Sequence, residues 1–245
     1  MSTDIVGPPP AVIELRQYTL RPGRRDELIE LFDREFVETQ EEAGMSLLGQ
    51  FRDLDDPDRF VWLRGFRDME ARHRALSAFY GGPVWAEHGP AANDTMIDSD
   101  DVLLLRPVPS GSGFAVPPGA RPPVGTPPPD RFVAATVWSF PPDRNDGIAL
   151  IRDGLLPVLE ETGPAPLAFL TTETAPNTFT RLPVRTGENV AAIVTSYADE
   201  NAHRRHLAAM EANPLTRDTI LPAVAQEQTA APRTLRLSPT GRSLI

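Results

Sequence analysis

Three side chains that could do chemistry stand at alternate positions of one short apolar run: Glu14, Arg16 and Tyr18 within VIELRQYTL, Val12 to Leu20. A period of two puts them on one face of a β-strand with Val12 and Leu20, and leaves Ile13, Leu15, Gln17 and Thr19 on the other. Further along, RFVWLRGF repeats the spacing with Trp62 and Arg64. Guanidinium groups held near aromatic rings can grip an anionic or carbonyl oxygen, and a carboxylate or an imidazole can move a proton. Arg16 and Arg64 are therefore the candidate oxygen holders, and Glu14 and His88 the candidate proton carriers. Tyr18, Trp62 and Trp85 are the candidate pocket walls. The competing reading of the same residues is a structural Glu–Arg pair that closes one end of a folded core.

The elements that must position these residues occur twice. The first set is a strand over Val12 to Leu20, then a helix from about Arg24 to Ala43 with Leu28, Leu31, Phe32 and Phe36 on one face. Strands near Met45 to Arg52 and Arg59 to Phe66 follow, joined by the acidic turn Leu54 to Asp58. Asp68 is placed to cap a helix running to Tyr80, Gly81-Gly82-Pro83 restarts a shorter helix, and Val102 to Val108 closes the unit as a strand. The second set has strands at Phe132 to Phe140, Leu167 to Thr172 and Val190 to Tyr197, a helix from about Arg144 to Thr162, and a cap at Asp199. Between the sets, PVPSGSGFAVPPGARPPVGTPPPD has the composition of a linker.

The expected fold class is therefore α+β: two tandem ferredoxin-like βαββαβ repeats packed sheet to sheet. The expected boundaries are a disordered N-terminus over 1–10, repeats over 11–108 and 131–240, and the Pro/Gly-rich linker over 109–130. In the second copy Ala134, Thr136 and Trp138 stand where the first has Glu14, Arg16 and Tyr18, and Ile193 and Thr195 stand where it has Trp62 and Arg64. The charged set thus exists once. Facing sheets would bring it into a shared interior opposite an apolar wall to which Trp138 belongs, an arrangement suited to a small ligand.

His73 is the other histidine to weigh. A stripe of Met69, His73, Leu76 and Tyr80 would turn it inward as a ligand contact, whereas the stripe Arg72, Ala75, Leu76, Phe79 and Pro83 leaves it in solvent; the duplicated sequence favours the second. Glu87, His88, Asp94 and Asp98 match no familiar metal-ligand spacing, and Asp98 to Asp101 reads as a turn rather than a calcium loop. GxGxxG, GxSxG and GxxxxGK[ST] are all absent. No metal is expected.

Composition removes several function classes. A formal net charge of -10 and a pI near 4.9 disfavour nucleic acid and anionic membrane surfaces as partners. All 24 basic residues are arginine, so no lysine can form a Schiff base, and cysteine is absent, which excludes disulfides and thiolate chemistry. The N-terminal MSTDIVGPPPAV does not look like a signal peptide, and no long apolar segment follows, so a cytoplasmic protein is expected. Self-association into a homo-oligomer stays open.

IELRQYTLRPGRRDELIELF and RFVWLRGFRDMEARHRALSAFYGGPVWAEH together resemble the NIPSNAP family, a branch of the dimeric α/β-barrel superfamily. The resemblance covers residues 12 to 108 and rests mostly on the first strand with its Pro-Gly turn and on Pro83 to Trp85. It implies an intrachain dimeric α/β barrel with a pocket between its sheets. Neighbouring families include cofactor-free monooxygenases, haem-degrading enzymes, and cyclases acting on aromatic or polyketide-like molecules. The expectation is thus a small-molecule protein, working without a cofactor by oxygenation, isomerisation or cyclisation. Two alternatives remain: a haem site with one inward histidine as ligand, and a non-catalytic scaffold with a filled barrel.

Overall fold

Apolar residues at alternate positions of every strand have one dry surface to share, and they share it by closing a ring. The computed structural model describes residues 9–109, 112–114 and 121–245. The expected disordered N-terminus and the Pro/Gly-rich linker fall partly outside those residues. The N-terminal half contributes β1 (Val12–Leu20), β2 (Ser46–Asp53), β3 (Arg59–Phe66) and β4 (Met96–Pro107). The C-terminal half contributes β5 (Phe132–Ser139), β6 (Ala168–Thr172), β7 (Val190–Tyr197) and β8 (Arg233–Pro239). All pair antiparallel in a closed barrel of order β1-β3-β2-β8-β5-β7-β6-β4. Each half has the ferredoxin-like order, its last strand beside its first. The halves join where Arg52 meets Ser238 and where Arg106 meets Thr171.

The barrel lumen is filled by the protein's own side chains. Ile13, Leu15, Phe51, Leu63 and Leu103 from the N-terminal half meet Ala135, Ala168, Leu170, Ala192 and Leu237 from the other, large groups against small. Phe114, from the segment after β4, is buried among them, and Ile245 packs against the same cluster. Residues beyond the expected end of the second repeat at 240 also pack onto the folded body: Arg242 is buried and paired with Glu38, and Ile245 lies against the lumen cluster.

The helices cover the outside. In the N-terminal half these are α1 (Arg25–Leu31), α2 (Val37–Glu42), α3 (Met69–Tyr80) and α4 (Pro83–Asp94). In the C-terminal half they are α5 (Asp146–Leu150), α6 (Leu156–Thr162), α7 (Glu200–Ala212) and α8 (Leu221–Glu227). The Asp68 carboxylate accepts from the Ala71 N–H and the Asp199 carboxylate from the Ala202 N–H, so α3 and α7 start with the same cap. A π-helical turn, Phe32–Phe36, joins α1 to α2, and another, Ile151–Leu155, joins α5 to α6. Apolar periodicity reads both as plain helix because the burial stripe hardly changes.

Two expectations are corrected here. Asp98 to Asp101 lies within β4 rather than in a turn, held there by pairing with β1 through an irregular register. More consequentially, Glu14, Arg16 and Arg64 face away from the lumen and into the layer between sheet and helices. The reason is chemical: apart from Gln17 of β1, the lumen-facing residues described above are apolar and offer a charge no counter-ion, whereas the helices offer partners.

Candidate functional site

Glu14 and Arg16 come from β1, Arg64 from β3 beside it, and Arg72 from the buried face of α3; all four side chains are fully buried. One Glu14 carboxylate oxygen accepts from Arg16 Nη1 at 2.7 Å and Arg64 Nε at 2.8 Å, and the other from Arg72 Nε at 2.6 Å. Neutral groups hold the outer edges. Arg16 Nε donates to the Tyr18 hydroxyl (3.0 Å), and Arg64 Nη1 donates to Gln40 Oε1 (3.1 Å) and the Tyr80 hydroxyl (3.4 Å). Arg72 Nη1 donates to Asn177 Oδ1 (2.9 Å), which belongs to the C-terminal half. Around this centre stand rings: Trp62 is edge-on to Tyr18 and Phe32, and Trp85 packs among Phe36, Phe79 and Tyr80.

Three guanidinium groups against one carboxylate leave an excess of positive charge in a layer shielded from water. Donors are also in excess. Arg64 Nη2, Arg72 Nη2 and Trp62 Nε1 are buried with no acceptor among the described residues. Burial by itself would raise the Glu14 carboxyl, but Arg64, Arg16 and Arg72 overrule it and hold it well below the ordinary carboxylate range. Burial pushes the Tyr18 hydroxyl up, with the arginines pulling the other way. Neither group can take a proton from a ligand near neutral pH. The arrangement can bind an anionic oxygen and stabilise charge spreading onto one.

The strands and helices that carry these charges belong to the N-terminal half, and Asn177 reaches them from the other. Residues 13–111 match the NIPSNAP family model. Solved structures share the fold across nearly the whole chain. A protein of Fusobacterium nucleatum, provisionally described as a monooxygenase, has a TM-score of 0.60 at 10% identity, covering 94% of this chain and 93% of that one. An anthrone oxidase-like protein has a TM-score of 0.63 at 12% identity, covering 94% and 91%. A NIPSNAP family protein of unknown function from Agrobacterium tumefaciens is 20% identical over 40% of this chain and 87% of its own, with a TM-score of 0.37. Identities this low establish a fold and no chemistry. No curated protein sequence matches the chain.

Within residues 13–111 the structure gathers Glu14, Arg16, Tyr18, Trp62 and Arg64 at one place and sets Trp85 in the adjoining aromatic layer. The remaining candidates lie elsewhere. His88 sits on α4 with Nε2 3.4 Å from Glu35, outside the arginine network. His73 is on the solvent face of α3, its Nδ1 donating to the Thr178 carbonyl at 2.7 Å, because Arg72, Ala75, Leu76 and Phe79 form the buried stripe. Trp138 belongs to the C-terminal half's own sheet–helix core with Ile151 and Leu155. That half fills its layer differently, with the Tyr197 hydroxyl donating to His206 Nδ1 (2.9 Å) while His206 Nε2 donates to the Leu159 carbonyl (3.1 Å).

Sequence reasoning passed over Arg72, Gln40 and Tyr80 as site residues, and missed Asn177 and Phe179 altogether. Arg72 did carry a signal, a charged residue inside an apolar helical stripe. Asn177 and Phe179 carried none, since they reach the site through a loop of the opposite half. Among the described residues no cluster of His, Asp or Glu has the makings of a metal site, and no helix is long and apolar enough to cross a membrane.

Proposed function

We propose that the protein binds a small aromatic molecule through an anionic or enolisable oxygen, in the layer between sheet and helices of its N-terminal half. The supporting observation is the surplus of buried, unpartnered N–H donors on Arg64, Arg72 and Trp62 beside a net positive cluster. An oxyanion would accept those donors and offset the charge, and the rings of Tyr18, Trp62, Phe32 and Tyr80 would pack against an aromatic body. Arg64 and Arg72 are assigned to hold the oxygen. Glu14 is reassigned: a carboxylate bound by three guanidinium groups aligns them and keeps its charge, so it moves no proton.

This favours, among oxygenation, isomerisation and cyclisation, a reaction that passes through an enolate or phenolate stabilised by the arginines, with a substrate acidic enough to ionise in their field. The fold shared with proteins described as a monooxygenase and as anthrone oxidase-like makes fused-ring ketones and phenols sensible first probes. The filled lumen supports the scaffold reading only for the space between the sheets, since the arginine layer lies outside the barrel wall.

The test is a thermal-shift panel of anthrone, hydroxynaphthoic acids and benzoate against the wild type, Arg64→Gln and Arg72→Gln. A binder should raise the melting temperature of the wild type and lose at least about tenfold in affinity in either variant, as expected for losing a charged hydrogen bond. Equal binding by all three proteins would remove the arginines from the site.

A further inference from the structure

The segment between β6 and β7, residues 173–189, has a position in the fold that its own half does not explain. The matching connection in the N-terminal half is the short turn of residues 54–58 between β2 and β3. The long segment instead crosses to the N-terminal half. The Glu173 N–H donates to the Leu104 carbonyl and the Arg185 N–H to the Val102 carbonyl, both at 2.9 Å, which ties its two ends to β4. Between them Asn177 accepts from Arg72, and Phe179 is buried in the N-terminal aromatic cluster, 5.9 Å from the Tyr80 ring and 6.2 Å from His73.

We infer that this loop is the closing wall of the arginine compartment, so that a ligand reaches Arg64 and Arg72 by displacing Asn177 and Phe179. The inference rests on the binding site proposed above. The loop has no helix or strand of its own, and most of its residues are exposed. Its inner part is fastened by the Asn177 contacts, the Phe179 ring, the partly buried Leu182, and Thr178, whose carbonyl accepts from His73 and whose hydroxyl donates to the Met69 carbonyl. Segments with so little buried surface open far more often than the domain unfolds. Asn177 Oδ1 also accepts from the Phe179 N–H at 3.0 Å while Nδ2 donates to the Leu182 carbonyl at 2.9 Å, so one side chain couples Arg72 to the plug. When the loop leaves, Arg72 loses its Asn177 partner and gains freedom to bind an incoming oxygen. A part-open pocket of about 310 Å³ lies between the two ends of the loop and β4, lined by Leu104, Asn177, Val184 and Arg185 among others, so the base of the loop is not closely packed there.

Phenylglyoxal, an arginine-specific reagent, tests this on the full-length protein without any ligand. Arg242 is equally buried but is clasped elsewhere by Glu38 and the Pro122 carbonyl, so its labelling reports openings in which this loop takes no part. Peptide mapping should show Arg72 labelled faster than Arg242 in the wild type. Phe179→Ala should raise the Arg72 rate by at least about tenfold with Arg242 unchanged, since the variant removes the main anchor of the closed state. Asn177→Ala, which keeps the plug, serves as the second variant if Phe179→Ala folds poorly, and should accelerate Arg72 in the same way. Arg72 and Arg242 labelling at one common rate in every protein would overturn the loop's role. Because no ligand takes part, selective Arg72 labelling combined with a panel that finds no binder would count against the function and leave the gate standing.

Discussion

Glu14 is the residue on which the other charges depend. Among the described residues its carboxylate is the only anion touching Arg16, Arg64 and Arg72, and removing one partner of a buried ion pair costs far more than the pair itself contributes. Glu14→Gln should therefore destabilise the protein by about 3–5 kcal/mol, measured by urea unfolding at neutral pH. The pH dependence follows from the sign of the shift. The folded-state pKa lies below the ordinary value of 4.5, so the contribution is complete above that pH and is lost as acid protonates the native carboxylate. The variant's stability should accordingly fall less steeply than the wild type's below pH 4.5. A cost under about 1 kcal/mol would mean that the arginines find their partners elsewhere.

Among the elements, α3 matters most to the site, because it carries Arg72 inward and His73 outward on consecutive residues. Its first turn is fixed by Asp68, in extended backbone conformation, just as Asp199 fixes α7. Asp68→Ala and Asp199→Ala should each cost about 1 kcal/mol. Only Asp68→Ala should also reduce the affinity for any binder found in the panel, since only α3 delivers a guanidinium to Glu14. Equal effects of the two variants on binding would detach α3 from the compartment.

For the molecule as a whole, the barrel is what neither half can complete alone. A chain ending at residue 109 would expose the lumen face of Ile13, Leu15, Val61, Leu63, Leu103 and Leu105, and the open edges of β2 and β4. Light scattering on that fragment should find a dimer, a second copy taking the place of the C-terminal half. A folded monomer would show that the barrel is not the unit of stability. Asymmetry between the halves has a consequence at this scale as well: the half without the charges sends its long loop to cover the half that has them.

Much of this was legible in the sequence. Period-two alternation marked β1, β3 and β7 to the residue, Asp68 and Asp199 announced their helices, and the doubled order of elements gave the ferredoxin-like halves. It also grouped Glu14, Arg16, Tyr18, Trp62 and Arg64 on shared faces, because backbone pleating alone dictates which side chains stand together. Which of the two faces turns toward the lumen was left to the tertiary structure. Alternation separates two faces without saying which meets the other sheet and which meets the helices, and both faces of these strands are buried here. Closure decided it: the lumen took the uncharged face, apolar but for Gln17, and the charged face went to the helix layer where Arg72, Gln40 and Tyr80 could answer it. Asn177 and Phe179 were beyond local pattern for the same reason, since their partners lie more than 90 residues away in the chain and meet them only once the barrel is shut.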